Sequence, residues 1–350
     1  MRPENGPYVT PRIQLAPMEG VLDWVLRELL SEVGGFDRMV TEFVRVTDRL
    51  NPEHVFRRYC PELATGGRTK SGTPVFVQLL GGQPGPMAEN AAAVAELGAP
   101  GVDLNFGCPA KTVNRHDGGA ALLKQPTRVF DVIRAVRGSV PAHIPVTAKV
   151  RLGFDHKDFH REIAQAVEEA GAAHIVVHAR TKAEMYQPPA HWEYIARMRE
   201  GRNLPFLANG EIWSVADYRR CQEVSGVAEV ALGRGVVRRP TLAREIAAER
   251  SGHAADLPVF DRIAFLRRFF TLSFDSRGES YAVARLKQVL RYWSAVDHEA
   301  ALWFNRVKFF NGAREVVDFL SALDERSSPW PQFKFTPGPT ARTASEPKIC

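Results

Sequence analysis

The chain has 350 residues, with 46 Lys plus Arg against 40 Asp plus Glu, a net charge of +6, and 45% hydrophobic and 25% charged residues. That composition is typical of a soluble globular protein with a sizeable core. No stretch approaches the roughly 18 apolar residues of a membrane span, and residues 1–6 hold no apolar h-region, so a cytoplasmic protein with no membrane partner is expected.

Residues 13–17 read as a first strand, after which Asp23 can cap a helix running to residue 31. Apolar runs at 39–43, 74–80, 102–105, 145–150, 173–178, 205–208 and 227–232 read as seven more strands. Helical patterns at 87–97, 127–137 (Pro126 at its start), 159–169, 191–199 and 215–224 lie between them. Continuous rather than alternating apolarity marks strands covered on both faces, as in a parallel sheet. Eight such units in about 230 residues favour a closed (β/α)8 TIM barrel over an open doubly wound sheet.

After residues 250–253 the strand signal stops, and 261–273, 279–293 and 299–323 read as helices. In the middle one, Val283, Leu286, Leu290 and Trp293 form a core stripe, while Lys287 and Arg291 sit four apart on another face. The expected organisation is an α/β barrel domain over 1–251, a smaller C-terminal helical domain over 252–335 and a disordered tail over 336–350. Between Arg262 and Arg314 ten basic residues face four acidic ones, so this segment alone carries an excess of six and points to an anionic partner.

Residues 101–119 organise the chemistry: a short strand runs into a glycine-rich polar loop, where Gly107 and Pro109 bend the backbone around Cys108 and present its thiol at a strand end. The four cysteines, Cys60, Cys108, Cys221 and Cys350, lie far apart, which argues against a disulfide framework, a zinc site or an iron–sulfur cluster; no metal is expected.

Barrels of this class collect ligand chemistry at the C-terminal ends of the strands. Those ends carry Pro17, Met18 and Glu19, then Gln78, then Asn105 and Cys108, then Lys149 and Arg151, then His178, then Asn209, Gly210 and Glu211, then Gly233 and Arg234. The last two loops offer bare backbone N–H groups and a forked cation suited to a phosphate. Lys149 lies in a strand buried on both faces, where an anionic ligand would offset its desolvation. Gln78, Asn105 and His178 are each explicable as satisfied polar groups closing the barrel mouth; together they can hydrogen-bond a planar heterocycle such as a flavin.

The segments 16–21, 105–109, 149–153, 177–181, 208–212 and 232–235 resemble, in order, the motif set of the tRNA-dihydrouridine synthases. Residues 18–21, 41–46 and 209–213 are most similar to the C subfamily, which acts on uridine 16 of the D-loop. The resemblance implies a cytoplasmic, monomeric FMN enzyme that uses NADPH to saturate C5–C6 of a uridine in tRNA. It implies FMN binding by Pro17, Met18, Glu19, Gln78, Lys149, Asn209, Gly210, Glu211, Gly233 and Arg234, with His178 beside the flavin. Cys108 would protonate C5 as hydride reaches C6, Asn105 and Arg151 would hold the uracil, and Arg45 and Tyr186 would touch the tRNA. Arg285, Lys287 and Arg291 would contact its phosphates from the helical domain. Phe106 and the segment 115–117 depart from the family pattern. Two other readings of the same residues are a flavin barrel reducing a free pyrimidine or small enone, and a barrel that grips RNA without catalysis.

Overall fold

The computed structural model describes residues 8–115, 117–253 and 257–323, so His116, Cys350 and the expected tail lie outside the described residues. The chain divides into two compact units, with the boundary between Phe260 and Asp261.

In the first unit the order is β1 Ile13–Leu15, α1 Trp24–Val33, β2 Arg38–Arg45, α2 Glu53–Tyr59, β3 Val75–Leu80, α3 Pro84–Glu96, β4 Val102–Phe106 and α4 Lys111–Arg115. There follow α5 Pro126–Ser139, β5 Val146–Arg151, α6 His160–Glu169, β6 Ile175–His178, α7 Trp192–Arg199, β7 Phe206–Asn209, α8 Val215–Ser225, β8 Val230–Leu232, α9 Arg234–Arg238 and α10 Leu242–Ser251. All eight strands pair in parallel, each with its sequence neighbour, and β8 returns to β1 to close the barrel. Asp23 caps α1 as expected, its carboxylate accepting from Leu26 N at 3.0 Å. The loop after β4 is more structured than its glycine content suggests: α4 forms one turn and residues Gly119–Lys124 a 3-10 helix.

Inside the barrel the two halves differ. Ala16, Val176, Leu207 and Ala231 form one buried apolar cluster next to or within strands β1, β6, β7 and β8. The register aligns Val176 with Lys149, Lys149 with Asn105, Asp103 with Thr147 and Gln78 with Asp103, so these polar residues share the interior face. The polar letters inside otherwise apolar strands are therefore the lining of the other half. At the N-terminal end, the Arg38 guanidinium stacks 4.1 Å from Phe76 and 5.0 Å from Tyr8, and the Tyr8 hydroxyl bonds both Arg38 and His174.

Outside the barrel, α1 is tied to the 3-10 helix Pro61–Thr65 by an ion pair with almost no solvent access. Arg27 Nε and Nη2 donate to the two Glu62 oxygens at 3.0 Å each, and Nη2 also reaches the Tyr59 carbonyl at 2.8 Å.

The second unit holds α11 Arg262–Arg277, α12 Glu279–Trp293, α13 His298–Val307 and α14 Ala313–Ala322. The α12 stripe Val283, Leu286, Leu290 and Trp293 is buried, as its spacing predicts. The single helix expected over 299–323 is two helices. The chain breaks at Asn311-Gly312, where Glu315 accepts from both backbone N–H groups (2.7 and 3.0 Å) and starts a new helix.

Replacing Glu62 by Ala leaves a buried guanidinium without its counter-charge, and this is expected to lower stability by roughly 3–5 kcal/mol, measured by urea unfolding.

Candidate active site at the barrel mouth

The loop after β4 is held by hydrogen bonds to its backbone. Asn105 Oδ1 accepts from the N–H groups of Gly107 and Cys108, both at 2.9 Å. The Cys108 carbonyl accepts from Asn114 Nδ2 (3.1 Å) and Ala120 N (3.2 Å), and Arg151 Nε donates to the Gly107 carbonyl at 2.8 Å. Gly119, at φ +60°, lies so close that an added Cβ would sit 3.0 Å from the Cys108 Cβ. Cys108 is 9% exposed and packs with Phe43, Leu80, Ala110 and Val113, so the thiol sits in the wall of the mouth and not on its rim.

Four cations and one imidazole face the mouth. Lys149 has neither a hydrogen-bond nor an ion-pair partner among the described residues; burial, then the charge of Arg151, pushes its pKa down to about 8, while Asp103 and Cys108 act the other way. Arg151 is 2% exposed and also donates from Nη1 to the carbonyls of Thr181 (3.0 Å) and Met185 (2.8 Å). His178 is held well below its ordinary pKa by burial and then by Arg151, Lys149, Arg180 and Arg234, so it is neutral near pH 7. Tyr186 lies 6.0 Å from the His178 ring, with the guanidinium of Arg151 at 5.3 Å and that of Arg234 at 4.9 Å; Arg234 also lies 5.0 Å from Trp213.

Other expected site residues have structural partners. Glu211 accepts from Ala190 N at 2.6 Å and pairs with the buried Arg180 at 2.7 Å. Asn209 Nδ2 bridges β7 to the Ala231 carbonyl on β8 at 2.7 Å. Gln78 Nε2 donates to Asp103 Oδ2 (2.7 Å) and Gln78 Oε1 accepts from Asn105 Nδ2 (2.8 Å). Pro17 and Met18 are half-buried and Glu19 is exposed at the end of β1. The sequence places Arg180 at the end of the sixth strand without assigning it a role, and singles out neither Asp103 nor Trp213; Arg180 and Asp103 are charged residues in buried strands or their ends, the signal that singled out Lys149.

In the helical unit, Arg291 is exposed and Lys287 half-buried, but Arg285 is 5% exposed, paired with Gln288 and 5.6 Å from Phe269. Arg262 pairs with Asp297 (2.8 Å) and with Glu299. The basic excess displayed to solvent is thus smaller than the count of letters. No helix among the described residues is long and apolar enough to cross a membrane, and no group of three or more His, Cys, Asp or Glu among them could hold a metal ion.

The donor set fits a phosphate-bearing planar cofactor. Lys149 is a half-buried cation whose side chain has no partner among the described residues. The backbone is bare where β7 and β8 end: an added Cβ at Gly210 (φ +117°) would meet the His178 ring at 3.1 Å, and one at Gly233 would meet Met18 Sδ at 3.2 Å.

The profile of a family described as dihydrouridine synthase (Dus) matches residues 14–324. A tRNA-dihydrouridine(16) synthase of Pseudomonas putida is 51% identical over 298 residues, covering 85% of this chain and 92% of its own. One from Aquipseudomonas alcaligenes is 50% identical over 313 residues, covering 89% and 99%. Among solved structures, a 2-naphthoyl-CoA reductase complex superposes with a TM-score of 0.52 at 10% identity, over 70% of this chain and 51% of that one, a likeness of fold alone.

Below pH 8 Lys149 is protonated both folded and unfolded, and the folded state bears its desolvation; between 8 and its ordinary 10.5 the folded state sheds the proton first and that burden fades. Lys149→Met is therefore expected to stabilise the cofactor-free protein at pH 7 by roughly 2–3 kcal/mol, with the gain shrinking as pH rises from 8 towards 10.5, measured by urea unfolding at pH 7 and 10.

Proposed function

Since the chain belongs to the dihydrouridine synthase family, we propose that it reduces the uridine at position 16 of the tRNA D-loop to 5,6-dihydrouridine, using FMN and NADPH. The observation that carries this reading is the mouth itself. A thiol anchored by its loop stands within electrostatic reach of Lys149 and Arg151, in a cationic pocket whose imidazole is neutral. The names of the two Pseudomonas-group relatives, which match over most of both chains, support position 16.

Bound FMN supplies the hydride for C6 of the uracil and is replenished from NADPH. Lys149, His178, Arg234 and the bare backbone at Gly210 and Gly233 would hold it, with Pro17, Met18 and Glu19 beside them and Gln78, Asn209 and Glu211 shaping the cavity through their protein partners. Cys108 Sγ gives its proton to C5, and the thiolate left behind is reprotonated from solvent. The uridine thus gains one hydride and one proton, and NADPH leaves as NADP+. Asn105 and Arg151 border the uracil ring while their other bonds fix the cysteine loop.

A uridine in folded tRNA has to leave its stack to enter such a pocket. Arg45 and Tyr186 on the barrel, with Lys287 and Arg291 on the helical unit, contact the RNA. Arg285, buried against Phe269, serves the packing of α12. The enzyme acts as a single chain in the cytoplasm.

Cys108→Ala is expected to keep its flavin absorbance and to lose tRNA-dependent NADPH oxidation by about 10²–10⁴-fold, the range of a general acid. The assay is NADPH consumption with unmodified tRNA, followed by mass-spectrometric mapping of the product. Dihydrouridine found elsewhere than position 16 would overturn the position; turnover on free uridine without tRNA would favour the small-substrate reductase.

A further inference from the structure

Below the mouth, side chains from three neighbouring strands join in one hydrogen-bonded line. Asp103 is fully buried; Thr147 Oγ1 donates to its Oδ1 at 2.5 Å and Gln78 Nε2 to its Oδ2 at 2.7 Å. Gln78 Oε1 accepts from Asn105 Nδ2 at 2.8 Å, and Asn105 Oδ1 accepts from Gly107 N and Cys108 N at 2.9 Å each. Gln78 is fully buried and Asn105 is 9% exposed, so little water can replace a bond that is lost.

The line has two ends that cannot reverse. A backbone N–H only donates, and the Asp103 oxygen facing Gln78 accepts from its amide nitrogen; burial raises the Asp103 pKa, and a proton taken up there would sit on the other oxygen, facing the Thr147 hydroxyl, which can accept it. Each amide between them carries both a donor and an acceptor and could be turned over if it stood alone. Held between these ends, only one orientation of each makes every bond.

We propose that Asp103 and Gln78 are positioning residues for Cys108: by fixing the polarity of the Asn105 amide, they hold its oxygen on the loop that carries the thiol. This rests on the reading of Cys108 as the proton donor, since a donor that must reach C5 needs its loop in one place. The same line explains why an amide at 105 serves the loop: its oxygen accepts from two backbone N–H groups while its nitrogen donates to Gln78.

The test reverses the line. Asn105→Asp places an acceptor where Gln78 Oε1 needs a donor; Gln78 must turn over, and its oxygen then meets an Asp103 oxygen. Adding Asp103→Asn repairs this. The amide introduced at 103 donates to Gln78 Oε1, Gln78 Nε2 donates to the carboxylate introduced at 105, and Thr147 still donates to position 103. The readout is the limiting high-pH rate of iodoacetamide alkylation at Cys108 in the full-length purified protein, mapped by mass spectrometry, with the thermal midpoint measured alongside. Taken at high pH, the rate reports access to the thiol and not its ionisation. Asp103→Asn alone is expected to stay within about two-fold of the parent, Asn105→Asp to react about ten-fold faster, and the double variant to return to within about three-fold. A double variant as reactive as Asn105→Asp, or Asp103→Asn alone equally reactive, overturns the proposal. If Asn105→Asp is too unstable to label, a double variant that melts no higher than Asn105→Asp overturns it as well. None of these readouts involves tRNA, so a failure of the dihydrouridine reading would appear in the turnover assay while this result stood or fell by itself.

Discussion

A cation kept inside a protein is the constraint from which the rest of this mouth follows. Lys149 points into a barrel whose wall at its level, from β6 round to β1, is hydrocarbon, with no carboxylate in direct contact among the described residues. Desolvation outweighs the more distant attraction of Asp103, as the lowered pKa records. A site built this way binds charge more readily than it tolerates emptiness. The surrounding cations deepen the effect: Arg151, Arg180 and Arg234 all act on His178 and keep it neutral. A neutral imidazole can give or take a hydrogen bond without adding a further positive charge to a crowded mouth.

The arginines avoid the problem of Lys149 by spending their donors on backbone. Arg151 ties together the cysteine loop and the loop after β6 through three carbonyls. Arg180 is paired with Glu211 and also donates to the Gln187 carbonyl at 2.6 Å. A planar fork with five N–H groups can brace two loops and still present charge, which a lysine cannot. The geometry around Tyr186 depends on this bracing, because its neighbours His178, Arg151 and Arg234 come from three different strand ends.

The barrel was legible because its strands are short, apolar throughout and regularly spaced, a pattern few other folds produce. Cys108 and Lys149 stood out in the sequence as well, each being chemically out of place in its segment, and the structure brings both to the barrel mouth. What one-dimensional reading missed was partnership. Gln78 and Asn105 were each explicable as satisfied polar groups, but not their partners, Asp103 and the cysteine loop; Glu211 was given only a ligand and is paired with Arg180. Arg285 was expected to touch tRNA phosphate and is buried, because it lies on the same face of its helix as the buried Ala282 and Val289. The break at Asn311-Gly312 carries a turn dipeptide that the reading of one helix over 299–323 passed over, and Glu315 caps the new helix there.

The division of the barrel interior into a hydrocarbon half and a hydrogen-bonded half sets two different tempos of change. At Ala16, Val176, Leu207 and Ala231 a substitution is judged by volume, so neighbouring positions can drift one at a time with small compensations. At Gln78, Asp103, Asn105 and Thr147 it is judged by donor and acceptor direction, so a change that reverses one link calls for a matching change at another, whereas one that can keep every direction, such as an amide at 103, stands alone. One wall of the barrel can therefore wander through sequence space singly, while much of the other moves in concerted steps.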